Sequence, residues 1–310
     1  MPCIALSEDN SDRWIDQFPL LSQVGYTKPM SKGLSVVKAS GIREPFSESK
    51  VRRSIRRVRI PASLENQVVR HVREKLYDGI PTQEIYKHIR EFLGSSSAPY
   101  SKSMYGLKQA IMQLGPSGFP FEKYIARVLE HHGFLTRTNV IAAGKCVQHE
   151  VDVVAEKDGG RFMIECKFHN RPGSRSDVKV ALYVQARFED LERGMQGKTD
   201  EQKFSQPWLV TNTKFTTEAI AYGECVGMWV VGWSHPESGD LQSLIESGRL
   251  HPVTCLTTLT EGEAKELLRN NIVMCKQILS EKDALQAMGF PKERRDMVEA
   301  EVNAICSQER

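Results

Sequence analysis

Apolar residues recur every three to four positions up to about residue 115, and the pattern then changes to alternation broken by single helices. "SESKVRRSIRRVRI" puts Val51, Ile55 and Val58 on one helical face, with Ser47 as its cap. "SLENQVVRHVREKLYDG" predicts a second amphipathic helix, stopped at Asp78-Gly79. "PTQEIYKHIREFLG" predicts a third, capped by Thr82 and stopped by Gly94, and "SKSMYGLKQAIMQLG" a fourth. Ahead of them, "LSVVKASGIREPF" alternates as two short strands around a Ser40-Gly41 turn. Residues 1–33 show neither period and predict a flexible leader, with Trp14, Phe18, Leu20 and Leu21 docking only locally.

"GPSGFP", from Gly115 to Pro120, packs four Gly and Pro residues into six positions and predicts a linker. Beyond it the order is helix, three strands, helix, strand, helix, strand, with Asp158-Gly159-Gly160 as a tight turn in the meander. The expected fold class is α+β or α/β. A small, mostly helical unit (34–115) precedes a mixed-sheet domain (116–238) and a helical C-terminal region (239–310). "LTEGEAKELLRNNIVMCKQIL" and "KERRDMVEAEVNAIC" read as helices of that last part.

Composition narrows this picture a little. The 310 residues, 40% hydrophobic and 26% charged, suit a globular chain with a sizeable core. A net charge of +3 permits an anionic partner without arguing for one. Seven cysteines without a C-x-x-C pair argue against a disulfide framework or a zinc ribbon, and suit a reducing interior. No apolar stretch reaches membrane-spanning length, so the expectation is a cytoplasmic protein.

The candidate chemistry lies in "HEVDVVAEKDGGRFMIECKFH". Residues two apart on a strand share a face, so Glu165 and Lys167 project together while Cys166 turns to the core. The hairpin brings the neighbourhood of Asp152 opposite them, with a register uncertain by one residue. Charged ends on half-exposed strands are common, and that is the competing reading. These charges, however, emerge from strands otherwise built for burial, where a carboxylate or a lysine needs a partner or a metal.

With "FPFEKYIARVLEHHGF" before it and "VALYVQARFEDL" after it, this stretch resembles the PD-(D/E)xK restriction-endonuclease-like superfamily. The nearest branches are the Mrr-type and archaeal Holliday-junction-resolvase-like enzymes. The resemblance covers roughly residues 116–235, and the E-x-K strand is its most specific part. It implies Mg²⁺ or Mn²⁺ bound by Asp152 and Glu165, with Lys167 activating water and stabilising charge. Glu122 becomes a further carboxylate and Gln185 the helix glutamine of the catalytic set. DNA is the implied substrate. Glu150 shares the face of Asp152, and His149 and His169 read as solvated strand-end residues.

The front unit resembles a second family, the ATP-cone, through "VVKASGIREPFSESKVRRSI", "YDGIPTQEIYKHI" and "YGLKQAIMQLG". The resemblance implies ATP or dATP bound by Val36, Lys38, Lys50, Thr82 and Tyr86, with Phe46 and Ile85 also near the base. It also implies a homo-oligomer that responds to the nucleotide. Ala39 stands where the family carries an arginine. The run "VRRSIRRVR" has two readings, the solvated face of a helix or a contact to DNA phosphates. Phe204, Trp208, Trp229 and Trp233 are expected in the core. The leading function is therefore a metal-dependent DNA endonuclease regulated by adenine nucleotide. The alternative is a nucleotide-responsive DNA-binding regulator without catalysis.

Overall fold

A computed structural model describes residues 33–57, 60, 62–96, 101–197, 199, 203–281 and 283–307, which belong to one unit. The expected leader, residues 1–32, and the helical position of Val58 lie outside the described residues.

The front unit starts with β1 (Ser35–Val37) and β2 (Arg43–Pro45), an antiparallel pair turning through Gly41 at φ 81°. Then follow α1 (Glu48–Arg57) and α2 (Ala62–Glu74). The Ser47 hydroxyl accepts the Lys50 backbone N–H at 3.4 Å, in keeping with its role as a cap. Asp78-Gly79 does more than stop α2: it leads into β3 (Ile80–Pro81), which pairs parallel to β1. Helix α3 (Thr82–Gly94) begins after Pro81, which makes no side-chain capping bond, so Thr82 is the first helical residue and not the cap. Val36, Val51, Ile55, Ile80, Ile85, Ile89 and Leu93 form the core of this unit.

Two arginines of the run are held within the protein. Arg52 and Arg56 both bond Glu65, and Arg52 and Arg73 both bond Glu48. These pairs give Arg52 and Arg56 structural partners, which favours the solvated-face reading over a DNA contact.

The single helix expected over 101–115 is two, α4 (Ser101–Tyr105) and α5 (Leu107–Met112), parted at Gly106. Leu107, Ala110, Ile111 and Leu114 then pack with the sheet and the C-terminal helices. Gly115 sits so close to Phe168 and Asn170 that an added Cβ would fall 2.4 Å from an atom of each.

Helix α6 (Phe119–His131) enters through Gly118 at φ 82°, a conformation that suits glycine. Strands β4 (Leu135–Ala143), β5 (Gln148–Lys157) and β6 (Gly160–Lys167) form an antiparallel meander. Asp158 and Gly159, both at positive φ, close the β5–β6 turn between the paired Lys157 and Gly160. After β7 (Arg175–Ser176) come α7 (Val178–Gly194), β8 (Gln206–Thr211), β9 (Lys214–Phe215), α8 (Thr217–Cys225) and β10 (Trp229–Val231). The main sheet runs β10-β8-β6-β5-β4, with β6, β8 and β10 parallel. This is the mixed sheet expected from the order of elements. Trp208 and Trp229 lie side by side within it, their rings tilted and their centroids 6.0 Å apart.

One face of the sheet packs on α7 and α8. The other packs on α6 and the C-terminal region: α9 (Leu241–Gly248), α10 (Glu261–Arg269), α11 (Cys275–Ser280), α12 (Ala284–Ala287) and α13 (Lys292–Cys306). The helix expected over 259–279 is broken at Asn271, which adopts φ 63°. Glu301 of α13 is fully buried and accepts five bonds, from the Ser103 hydroxyl and from the backbone N–H and hydroxyl groups of Thr257 and Thr258. That carboxylate joins α4, the 257–258 segment and α13 without a cation. Among the described residues no helix is long and apolar enough to cross a membrane.

Candidate active site

The site forms where the antiparallel pairing of β5 and β6 ends. The last paired residues are Val153 and Ile164, and one step further stand Asp152 and Glu165. This removes the one-residue ambiguity of register. In place of a ladder bond, the Asp152 carboxylate accepts the Cys166 backbone N–H at 2.7 Å. On the other side of β5, Thr138 pairs with Val153 and Val140 with Val151, while Asn139 between them adopts φ 52°. Val153 belongs to the cluster on the α6 side and Val151 to that on the α7 side, so regular alternation breaks at Asp152.

Glu122, in the first turn of α6, accepts Asn139 Nδ2 at 3.3 Å, and the same amide donates to Glu150 at 3.2 Å. Burial, then the Asp152 charge, pushes the Glu122 carboxyl up to about 7. Burial, again followed by Asp152, takes Glu165 to about 7 as well. Asp152 is also raised, chiefly by burial, against the pull of its bond to Cys166 N–H. Glu122, Asp152 and Glu165 thus lie within one another's field, a cluster short of positive charge.

Arg187 of α7 is the cation the sequence reading missed. It is buried, and its guanidinium pairs with Glu165 and with the Glu150 backbone carbonyl. Its Nε has no hydrogen-bond partner, and the group lies 5.5 Å from the Tyr183 ring. The only hint in the sequence is that Arg187 falls two residues after Gln185. Gln185 itself donates to Glu189 at 3.3 Å, and its Oε1 is buried without a partner. Lys167 ends β6 exposed to solvent, its carbonyl accepting the Thr211 hydroxyl at 2.7 Å.

The strand-end histidines are not simply solvated. His149 bonds Asp190 at 2.8 Å, and that bond, with those from the Cys146 and Val147 N–H groups, holds the Asp190 carboxyl well below the usual range. Asn212 brackets His169 through both backbone groups, at 2.8 and 2.9 Å. Asn212 was visible in the sequence only as the polar end of a strand.

The donor set suits a hard divalent ion, since Glu122, Asp152 and Glu165 offer only oxygen. The orphan Oε1 of Gln185 adds an acceptor without a donor. Among the described residues no three His, Cys, Asp or Glu side chains stand at metal-holding separation. Arg187 gives a physical reason, because it draws Glu165 toward α7.

In the front unit, Lys38 and Lys50 both pair with Glu44, at 2.7 and 2.9 Å. Val36 and Ile85 are core residues. The Tyr86 ring stacks on Tyr105 at 5.1 Å, and burial pushes its hydroxyl up to about 12.

Known proteins place these features. A protein from Archaeoglobus fulgidus, described only as uncharacterized, is 43% identical over 182 residues, spanning 58% of this chain and 99% of its own. The chain belongs to the AF1548-like family. The family described as AF1548-like, C-terminal, matches residues 251–306, where α10 to α13 lie. The solved structure titled "Crystal Structure of Protein of Unknown Function AF1548" shares 43% identity at a TM-score of 0.51, covering 60% of this chain and 97% of that one. A restriction endonuclease family (Mrr_cat) matches residues 115–228, and the ATP cone domain matches 34–100. This AF1548-like chain therefore joins an ATP cone to a restriction endonuclease-like domain, as its residues suggested. A nuclease hydrolase is the class those domains support, with nucleotide regulation beside it.

Proposed function

We propose that this protein is a divalent-metal-dependent DNA endonuclease whose cutting responds to ATP or dATP. The observation that carries the reading is the meeting of three carboxylates where the β5–β6 ladder ends: Glu122 from α6, Asp152 from β5, fixed on the Cys166 N–H, and Glu165 from β6, with burial and then the Asp152 charge raising the Glu122 and Glu165 carboxyls. Asp152 and Glu165 would hold Mg²⁺ or Mn²⁺, with Glu122 as the third carboxylate. When bound, such an ion polarises a phosphoryl oxygen and lowers the pKa of water. The exposed Lys167 ammonium stabilises negative charge developing on the scissile phosphate. The free Oε1 of Gln185 can accept a hydrogen bond from the attacking water and so orient it. In the cone, Lys38 and Lys50 would hold the phosphates, with Val36, Thr82 and Tyr86 shaping the nucleotide pocket. Change of assembly state with nucleotide is the natural output of such a module.

The test is calorimetric titration of Mg²⁺ and Mn²⁺ into the wild type, Asp152→Ala and Glu165→Ala, followed by plasmid nicking with and without ATP. The expected result is metal binding and nicking in the wild type, lost in both variants. Absence of metal binding and of cleavage on every DNA form would favour a nucleotide-responsive DNA-binding regulator. Native mass spectrometry with and without nucleotide reads the assembly, and identical species in both would remove that part of the proposal.

A further inference from the structure

The loop that follows the E-x-K strand leads directly to the cone. From Lys167 the chain passes through Phe168, which packs on Phe121 at 5.4 Å, and His169, clamped by Asn212. Asn170 then donates to the Pro116 carbonyl at 3.3 Å. The next residues, Arg171-Pro172-Gly173-Ser174-Arg175, form an exposed bend with Gly173 at φ 87°, closed by the Ser174 N–H on the Arg171 carbonyl at 3.3 Å. The bend meets the β1–β2 turn of the cone: a Cβ on Gly173 would lie 3.5 Å from both the methyl and the carbonyl oxygen of Ala39. Ala39 follows Lys38, one of the two cations sharing Glu44.

Charge makes this contact meaningful. Lys38 and Lys50 with Glu44 leave one net positive charge, whereas a nucleoside triphosphate carries about four negative charges, each phosphate a strong acceptor. Ala39 adds no cation. The bend seated against Ala39 carries two arginines, Arg171 and Arg175, both exposed, whose guanidinium groups are of the kind that binds phosphate bidentately.

The geometry points to a composite nucleotide site, in which Arg171 and Arg175 of the nuclease domain complete the polyphosphate-binding set begun by Lys38 and Lys50 of the cone. A triphosphate held there touches the segment that begins four residues after Lys167, so its occupancy bears directly on the catalytic strand. The inference rests on the cone binding nucleotide, as proposed above, and assigns regulation to a contact within one chain.

The test is calorimetric titration of the full chain with ATP and, separately, tripolyphosphate, for the wild type, Lys38→Ala and the Arg171→Ala/Arg175→Ala double variant. Both arginines are exposed, so the double variant should melt with the wild type. The expected result is a loss of ATP affinity of about ten- to a hundredfold in the double variant, the scale of charge-assisted bonds. Hydrogen exchange should also show ATP protecting amides across 170–176. Wild-type ATP affinity in the double variant, with Lys38→Ala impaired, overturns the composite site and leaves the cone reading standing. Weaker DNA binding in the double variant at unchanged ATP affinity also overturns it, assigning the arginines to DNA instead. No heat from ATP with the wild type removes the cone reading and the inference together. Equal affinity for tripolyphosphate and ATP, lost together in the double variant, supports the site as a phosphate clamp.

Discussion

Replacing Glu122 by Gln should make the metal-free protein more stable at pH 8. In the folded state this carboxyl sits at about 7 rather than its ordinary 4.5, because of burial and the charge of Asp152. At about 1.36 kcal/mol per pH unit, that difference bounds the penalty at ~3 kcal/mol. Solvent reaches one side of the group, and screening reduces the penalty to about 1–2 kcal/mol. The sign follows from proton linkage. Below the unfolded-state value both states bind the proton and there is no penalty. Between about 4.5 and 7 the unfolded chain ionises first, so stability falls with rising pH, and above that range the loss is constant. Glutamine keeps an oxygen for the Asn139 amide and carries no charge. In EDTA the substitution should therefore raise Tm by about 1.5–3 °C at pH 8 and hardly at all near pH 4. Added Mg²⁺ should stabilise the wild type more than the variant, because a cation relieves the repulsion that the substitution has already removed. A pH-independent difference, or a variant less stable at pH 8, would refute this account of the carboxylate cluster.

Removing the buried cation should do the opposite. Arg187→Leu leaves Glu165 without its partner and should cost about 3 kcal/mol at pH 8 but less at pH 6, where Glu165 takes up a proton; urea unfolding at the two pH values checks it. Glu301→Ala strands the donors of Ser103, Thr257 and Thr258 and should cost about 3–5 kcal/mol in the same assay, with Glu301→Gln recovering part of the loss. Gly115→Ala drives a methyl into Phe168 and Asn170 and should cost about 1–3 kcal/mol. Because Phe168 follows Lys167, that substitution should slow plasmid nicking more than Tm alone implies.

The parts legible in the sequence were those set by period and by short-range spacing. Alternation fixed β5 and β6, and the tight turn at Asp158-Gly159 confined their register to within a residue of the observed pairing. The order of elements gave the mixed sheet. What escaped depends on contacts between elements distant along the chain. Arg187 reaches Glu165 only because α7 lies across β6 at one particular rotation, which helical periodicity does not specify. Glu301 sits on a helix whose charged residues resemble a solvated face, and its burial follows from threonines more than forty positions away. The two-residue β3 is too short to show a period. The breaks at Gly106 and Asn271 come from backbone geometry inside stretches whose apolar spacing continues through them.

The position of the carboxylates follows from the change of strand direction in the sheet. On one side β6 pairs antiparallel with β5 only as far as Ile164, while on the other it runs parallel with β8 through Lys167. Glu165, Cys166 and Lys167 therefore project past the end of the β5–β6 ladder while still held by the parallel neighbour. The Cys166 N–H left free on the β5 side is taken by Asp152, which orients that carboxylate without a cation. Open parallel strands characteristically bind ligands beyond their carboxyl ends, where neighbouring connections diverge. Here the connection leaving β6 is also the segment that touches the cone at Ala39. The end of this strand thus brings the acids together and starts the bend that meets the cone, the contact through which the proposed nucleotide site would act on them.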